Sequence, residues 1–285
     1  MAIVSLPWYD LPEIRHATDA FWGAVSAQLR EQGIDFAPER LEREIDHREQ
    51  WVHPSLLFTQ ACGYDVAVDH AVHLRVVAAP CFVLPGCEAH YYSSFVLVRD
   101  DADCEELADL RDTRCAINNH TSHSGTNALR AMIAPVARDG RFFKLIQTSG
   151  SHANSLDLLR AGGVDVICID AITHGLLSRY RPKSVKGTRV LAQTPFAPAP
   201  PFVTSMRYGK VFTRKLQNAL VRAMNDPATQ DTRKDLCLGG IALVDNSIYK
   251  KVLDFESVAI EHGYFELPAP DKSELTKLRM RAARA

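Results

Sequence analysis

Between residues 114 and 180 the chain alternates three strand-like runs with three helix-like ones, and this rhythm restricts the fold more than any other feature. Residues 114–118, 143–147 and 164–170 are short apolar runs, while 124–133, 153–161 and 172–180 carry helical spacing. Three strand–helix pairs within about 70 residues make a complete small α/β unit. Alternation of this kind predicts a mainly parallel sheet covered by helices.

The flanking segments continue the pattern. Residues 3–6 read as a first strand. Thr18 reads as the cap of a helix through Phe21, Val25 and Leu29, which Gly33 stops. Pro54 suits the first turn of a short helix over 55–61. Residues 74–79 and 94–98 read as strands, as do 189–193 and 202–205, and helical patterns cover 213–224, 228–236 and 247–262. The charged stretch 39–49 reads as a solvated face, and the basic tail 271–285 as peripheral. This order predicts a first lobe from residues 1–98 and 190–285, with a second lobe, 99–189, inserted in it. The chain would cross near Arg99 and Arg189, and two crossings make a hinge.

Bulk properties exclude several classes. A net charge of -1 over 285 residues gives no field for nucleic acid or an anionic membrane. No apolar run is long enough to span a bilayer. No secretory leader is evident, so either a leader has been removed and the protein is periplasmic, or the start is native and it is cytoplasmic. The seven cysteines leave at least one unpaired. Cys115 and Cys168 read as buried apolar groups, and Cys81 and Cys87 are near enough in sequence to bridge a short loop. There is no CxxC pair, and His47 and His53 make a poor metal pair, both reading as exposed. No metal or cofactor is expected.

The chemistry concentrates in Asn118-Asn119-His120-Thr121-Ser122-His123-Ser124-Gly125-Thr126-Asn127, which follows a strand and opens a helix. Amides of a first helical turn have no acceptor within the helix, and the helix dipole adds positive potential. Hydroxyl and amide side chains there make an anion site without lysine. One serine would suffice as a cap, but Thr121, Ser122, Ser124, Thr126 and Asn127 accumulate within seven positions. Gly125 would allow close approach. A second junction, Thr148 to Asn154, repeats the theme and offers His152. A third ends in Asp170, placed to accept from a ligand, orient His152 or cap the next helix.

These residues resemble the substrate-binding proteins of phosphate/phosphite/phosphonate ABC transporters. Ser122-His123-Ser124-Gly125-x-Asn127-Ala128-Leu129-Arg130 is similar to that family's loop–helix motif. Ser151-His152 and the Val164-Asp165-Val166 run leading to Asp170 are similar to its next two elements. Tyr92-x-Ser94-x-x-x-Val98-Arg99 resembles its crossover strand. Ser5-Leu6-Pro7-x-Tyr9 and Gln60-x-Cys62-Gly63-Tyr64 resemble the first-lobe side in a leaderless branch. The resemblance implies a two-lobed type II periplasmic-binding-protein fold with a ligand cleft between lobes. It implies phosphonate-type oxygens held by Ser122, Ser124 and Thr126 near His152, with Tyr9, Tyr64 and Tyr92 closing the other wall. His120-Thr121 before the motif and Ala171-Ile172-Thr173 after Asp170 depart from the family pattern, so the rest of the ligand is open.

The reading is therefore a solute-binding protein that traps a small oxyanion for an ABC permease. A cytoplasmic sensor of the same fold is a second reading, and a small-molecule enzyme a third. The enzyme reading would use Ser124, His152 and Asp170 as a triad. No phosphate-binding loop, nucleophile elbow or zinc-protease motif is present.

Overall fold

The computed structural model describes residues 2–265 and residue 267. Its strands are β1 (Ile3–Val4), β2 (Leu56–Gln60), β3 (Leu74–Phe82), β4 (Cys87–Glu88), β5 (Tyr91–Tyr92), β6 (Ser94–Arg99) and β7 (Arg114–Ile117). They continue as β8 (Leu145–Thr148), β9 (Val166–Asp170), β10 (Thr188–Gln193), β11 (Ala197–Pro198), β12 (Phe202–Ser205) and β13 (Leu238–Ala242).

The chain divides into two compact units. Unit 1 comprises the described residues up to Ser93, Ala171–Tyr180 and Phe196–Leu253; unit 2 comprises Ser94–Asp170, Arg181–Pro195 and the described residues from Asp254. This division differs from the expected boundaries at the helix after Asp170 and at the segment from Asp254, which was expected in the first lobe and falls in unit 2. Ala171–Tyr180 belongs to unit 1, where Tyr180 donates to the Asp235 carbonyl at 2.7 Å. Gly175 lies so near Leu84 that a Cβ would meet its Cδ2 at 2.8 Å. The strand–helix rhythm assigns this helix to its own sheet, but its small and apolar face fits unit 1.

Unit 1 is built on the sheet β1-β2-β12-β3-β13. Only the β1–β2 pair is parallel, so the expected mainly parallel sheet does not hold here. Ile3, Trp51, Leu56, Leu74, Val203 and Tyr249 form its apolar core, and Trp22, Phe58 and Phe202 stack in succession at 5.6 and 5.3 Å. The expected helix over 55–61 is strand β2. Every residue of Leu-Leu-Phe-Thr-Gln is buried, and a segment buried on both faces has no periodicity to tell strand from helix.

Thr18 is not a cap. The helix begins at Arg15 after a short 3-10 turn, and the Thr18 hydroxyl reaches Asp10 and the Arg15 carbonyl. Gly33 does end the helix, at φ 75°, with its amide on the Arg30 carbonyl. The charged stretch is only partly solvated. Arg43 pairs with Asp10 at 2.6 Å and Asp19 at 2.9 Å, and Leu41 is buried. His47 is half-buried rather than exposed, packed 4.8 Å from Trp8 and 5.0 Å from Trp51. All seven cysteines are free thiols, Cys81 and Cys87 included.

Unit 2 contains the sheet β10-β6-β9-β7-β8. Here β9, β7 and β8 run parallel, β6 pairs antiparallel with β9, and β10 pairs antiparallel with β6. Val96, Cys115, Leu129, Phe142, Val166 and Cys168 fill the core, and Tyr264 from the C-terminal segment is fully buried among them. The helix expected over 124–133 opens with a wide π turn, His123–Asn127, and becomes α-helical only at Ala128–Ile133. The basic tail 271–285 lies outside the described residues.

Candidate functional site

Parallel strands place their carboxyl ends on one edge, where ligands of open α/β sheets bind. In unit 2 the residues following β7 and β8 and the last residue of β9 share that edge. Backbone bonds staple the first two junctions together: the Ser149 amide donates to the Ile117 carbonyl at 2.8 Å, and the Gly150 amide to the Asn118 carbonyl at 3.0 Å. Gly150 has φ 88°, a conformation glycine adopts without strain.

The first junction is the π turn. Ser122 caps it, its Oγ accepting from the Gly125 amide at 3.1 Å. The Asn127 amide donates to the Ser122 carbonyl, spanning five residues rather than four. Such π turns recur at functional sites. Gly125 is required sterically: a Cβ would meet Asn118 Oδ1 at 2.0 Å and His152 Cε1 at 3.2 Å.

The hydroxyls converge on His152. Ser124 Oγ lies 3.4 Å from Ser122 Oγ and 3.0 Å from His152 Nε2. His152 opens the helix His152–Arg160, which Ser151 caps by accepting from the Asn154 amide. Asp170 Oδ2 lies 3.3 Å from the same Nε2. Burial pushes the imidazole below its ordinary range, and the Asp170 carboxylate pulls it upward. A bare Nε2 lone pair would repel the carboxylate oxygen, so the neutral ring carries its hydrogen there. The Ser124 hydroxyl hydrogen is then available to another acceptor. Both contacts fall on one nitrogen, whereas a nucleophilic relay uses opposite ring nitrogens. His152 Nδ1 is buried with no partner among the described residues.

The remaining expected site residues divide. Thr126 lies in the turn, but its hydroxyl donates to the Asn119 carbonyl at 2.5 Å and so serves the loop. His123 is buried, edge-on to Phe255 at 4.8 Å, and its Nδ1 lies 3.3 Å from Asn127 Nδ2. Burial lowers its pKa to about 4, which keeps it neutral. Asn127 is buried and accepts from Arg130. Ser94 pairs with Asp170 across the β6–β9 ladder, and its amide donates to Thr194 Oγ1 at 2.8 Å. Tyr9, Tyr64 and Tyr92 are all residues of unit 1. There Tyr9 is buried, edge-on to Phe82 at 5.2 Å. Tyr64 lies in the short helix Gly63–Ala67, and Tyr92 is buried in β5.

Sequence reasoning placed Asn118 and Asn119 in the informative segment but gave neither a role of its own. The Asn119 side chain accepts from the Thr121 amide and hydroxyl, which folds the loop ahead of the turn. Paired asparagines directly after a strand signal such turn chemistry.

Comparison with known proteins gives a consistent picture. No curated protein sequence matches the chain. Among solved structures, a binding protein component of an ABC phosphonate transporter from Pseudomonas aeruginosa is similar at 16% identity and TM-score 0.70, covering 99% of this chain and 98% of its own. PhnD1 from Prochlorococcus marinus, in complex with methylphosphonate, is similar at 14% identity and TM-score 0.71, covering 90% and 97%. XAC2383 from Xanthomonas citri, bound to chloride ion, gives 14% identity and TM-score 0.67 over 92% and 98%. These likenesses establish the two-lobed type II periplasmic-binding-protein fold. No helix among the described residues is long and apolar enough to cross a membrane. The profile of the family described as ABC transporter, phosphonate, periplasmic substrate-binding protein matches residues 56–249, which include every residue of the π turn, His152 and Asp170. The chain belongs to that family of substrate-binding proteins.

Proposed function

We propose that the chain binds a phosphonate- or phosphate-type oxyanion at the unit 2 strand edge and delivers it to an ABC permease. The observation carrying this reading is the convergence of Ser122, Ser124 and His152 at 3.0–3.4 Å on a π turn that opens a helix. Hydroxyls and first-turn amides suit an oxyanion, and none of these groups carries a full positive charge to attract anions indiscriminately. The methylphosphonate held by the Prochlorococcus relative supports the ligand class. The family description supports the periplasm as the working compartment and a permease as the partner.

The proposal includes binding without catalysis. Ser124 and Asp170 meet the same nitrogen of His152, so the ring does not pass a proton from the serine across to the acid.

A thermal-shift screen against phosphate, phosphite, alkyl- and aminoalkylphosphonates, sulfonates and phosphate esters tests the reading. A ligand at 100 times its Kd adds about 2.7 kcal/mol of stability. The expected result is a melting rise with one phosphoryl class that disappears in Ser122→Ala/Ser124→Ala. A rise that persists in the double variant would place the ligand elsewhere.

A further inference from the structure

The net charge of -1, too small overall to draw the chain to an anionic surface, is an average over an uneven sequence. From Phe196 to Asn225 there are five Lys or Arg and no Asp or Glu. In unit 1 three of these cations, Arg207, Lys210 and Arg214, follow β12 and open the helix Lys210–Asn225. Arg207 Nη1 donates to the Pro54 carbonyl, just ahead of β2, so this corner lies at the amino end of β2, the opposite edge from Gln60. Lys210 and Arg214 have no acidic partner among the described residues. The first helical turn holds no acid, and the helix dipole adds to the positive potential.

The same corner displays an apolar stack. The Tyr208 and Phe212 rings stack at 4.1 Å and 19°, and Phe36 continues the stack onto Phe212 at 6.2 Å and 16°. Reciprocal bonds fasten the two segments: Lys215 Nζ donates to the Gln32 carbonyl at 2.6 Å, and Gln32 Nε2 to the Lys215 carbonyl at 3.2 Å. Phe36 is nevertheless 56% exposed, and Val211, set between Lys210 and Arg214, is 72% exposed. Of the acids close to Phe36 in sequence, Glu39 pairs with Arg30 at 3.9 Å, which leaves Asp35 against three cations.

We propose that this corner is a docking surface for an anionic phospholipid membrane. Phe36 and Val211 enter the headgroup layer, and Arg207, Lys210 and Arg214 meet lipid phosphates. Exposed aromatic and aliphatic groups interleaved with cations match that interface. Charge and size select the occupant. A second copy using the same patch would set like charges against each other. A specific protein partner ordinarily needs about 1,200 Å² or more of matching surface, whereas fluid lipid needs no matching shape. The inference does not rest on the phosphonate reading.

Cosedimentation of the full chain with phosphatidylcholine vesicles, plain or containing about 30% phosphatidylglycerol, tests it. At low salt the bound fraction is expected to be at least about fivefold higher on the anionic vesicles, and the gain should vanish in about 0.5 M NaCl, where surface charges are screened. Lys210→Glu/Arg214→Glu should abolish the gain. Phe36→Ser/Val211→Ser keeps every charge and should weaken binding about threefold or more. All four side chains are exposed, so both variants should melt like the parent. Inorganic phosphate at matched ionic strength should leave vesicle binding unchanged. Displacement by phosphate would make the corner a small-anion site and overturn the proposal. Equal binding to both vesicle types, no binding to either, or binding unaltered in both variants would also overturn it. Capture by polyglutamate without binding to anionic vesicles would assign the face to an acidic protein instead of lipid.

Discussion

The two units offer opposite chemistry at equivalent places. Each has the carboxyl ends of co-directional strands on one edge. In unit 2 that edge carries Ser122, Ser124, His152 and Asp170. In unit 1 it carries Leu6, Gln60 and Phe82 around an apolar cavity. Strand direction sets the location, and loop composition sets the chemistry displayed there. The units also bury opposite titratable groups. Asp65 of unit 1 is pushed up to about 7, chiefly by burial and then by Asp69, while His123 of unit 2 is pushed down to about 4 by burial.

The largest expected effect follows from Asp65. Its folded pKa exceeds its unfolded value, so its contribution is complete below pH 4 and lost as pH rises through 7. Asp65→Asn should gain up to about 4 kcal/mol over the parent at pH 9 and nothing at pH 4. Urea unfolding at the two pH values measures this, and an equal difference at both would remove Asp65 from the comparison.

His123 should act in the reverse direction. Its folded pKa lies below the unfolded value near 6.5, so its contribution is present above pH 6.5 and is lost as pH falls toward 4. This loss amounts to about 3 kcal/mol at most. His123→Gln is expected to flatten stability between pH 7 and 4, and an unchanged slope would show that other groups titrate there.

Gly125→Ala should cost about 1–3 kcal/mol in stability through the clash with Asn118 and His152. Phosphonate affinity should fall with it. Retention of full affinity after a measured loss of melting temperature would detach the π turn from ligand binding.

The smallest effect is His152→Gln. One hydrogen-bonding group lost from the unit 2 edge weakens phosphonate binding about tenfold. A variant that binds like the parent would leave the serines to act alone.

The sequence made unit 2 legible because its elements have contrasting textures. Apolar β7, β8 and β9 are each followed by small polar residues and then by helical spacing, so both the order and the loop chemistry could be read. Unit 1 was harder. Leu56–Gln60 is buried on both faces and lies between Pro54 and Gly63, which punctuate a helix as readily as a strand. Thr18 has the right chemistry for a cap, but a tertiary partner, Asp10, claims its hydroxyl. In the π turn, residue types were informative while individual roles were not. Thr126 and Ser124 look alike in sequence, and only the folded chain gives the first to Asn119 and the second to His152. The cavity left no signature, because its walls come from residues scattered between positions 6 and 238.

The helix Ala171–Tyr180 has a consequence for how such a protein can be dissected or recombined. A gene fragment encoding 94–195 would carry unit 2's sheet together with a helix whose buried Leu176 and Leu177 belong to unit 1. It would also lack Ala259 and Tyr264, which complete unit 2's own interior. Neither half is a contiguous module, so shuffling between relatives at the obvious chain boundaries would import an exposed apolar helix and leave a hole. Specificity in this architecture is therefore exchanged by changing loops in place, because whole units do not transplant as single pieces.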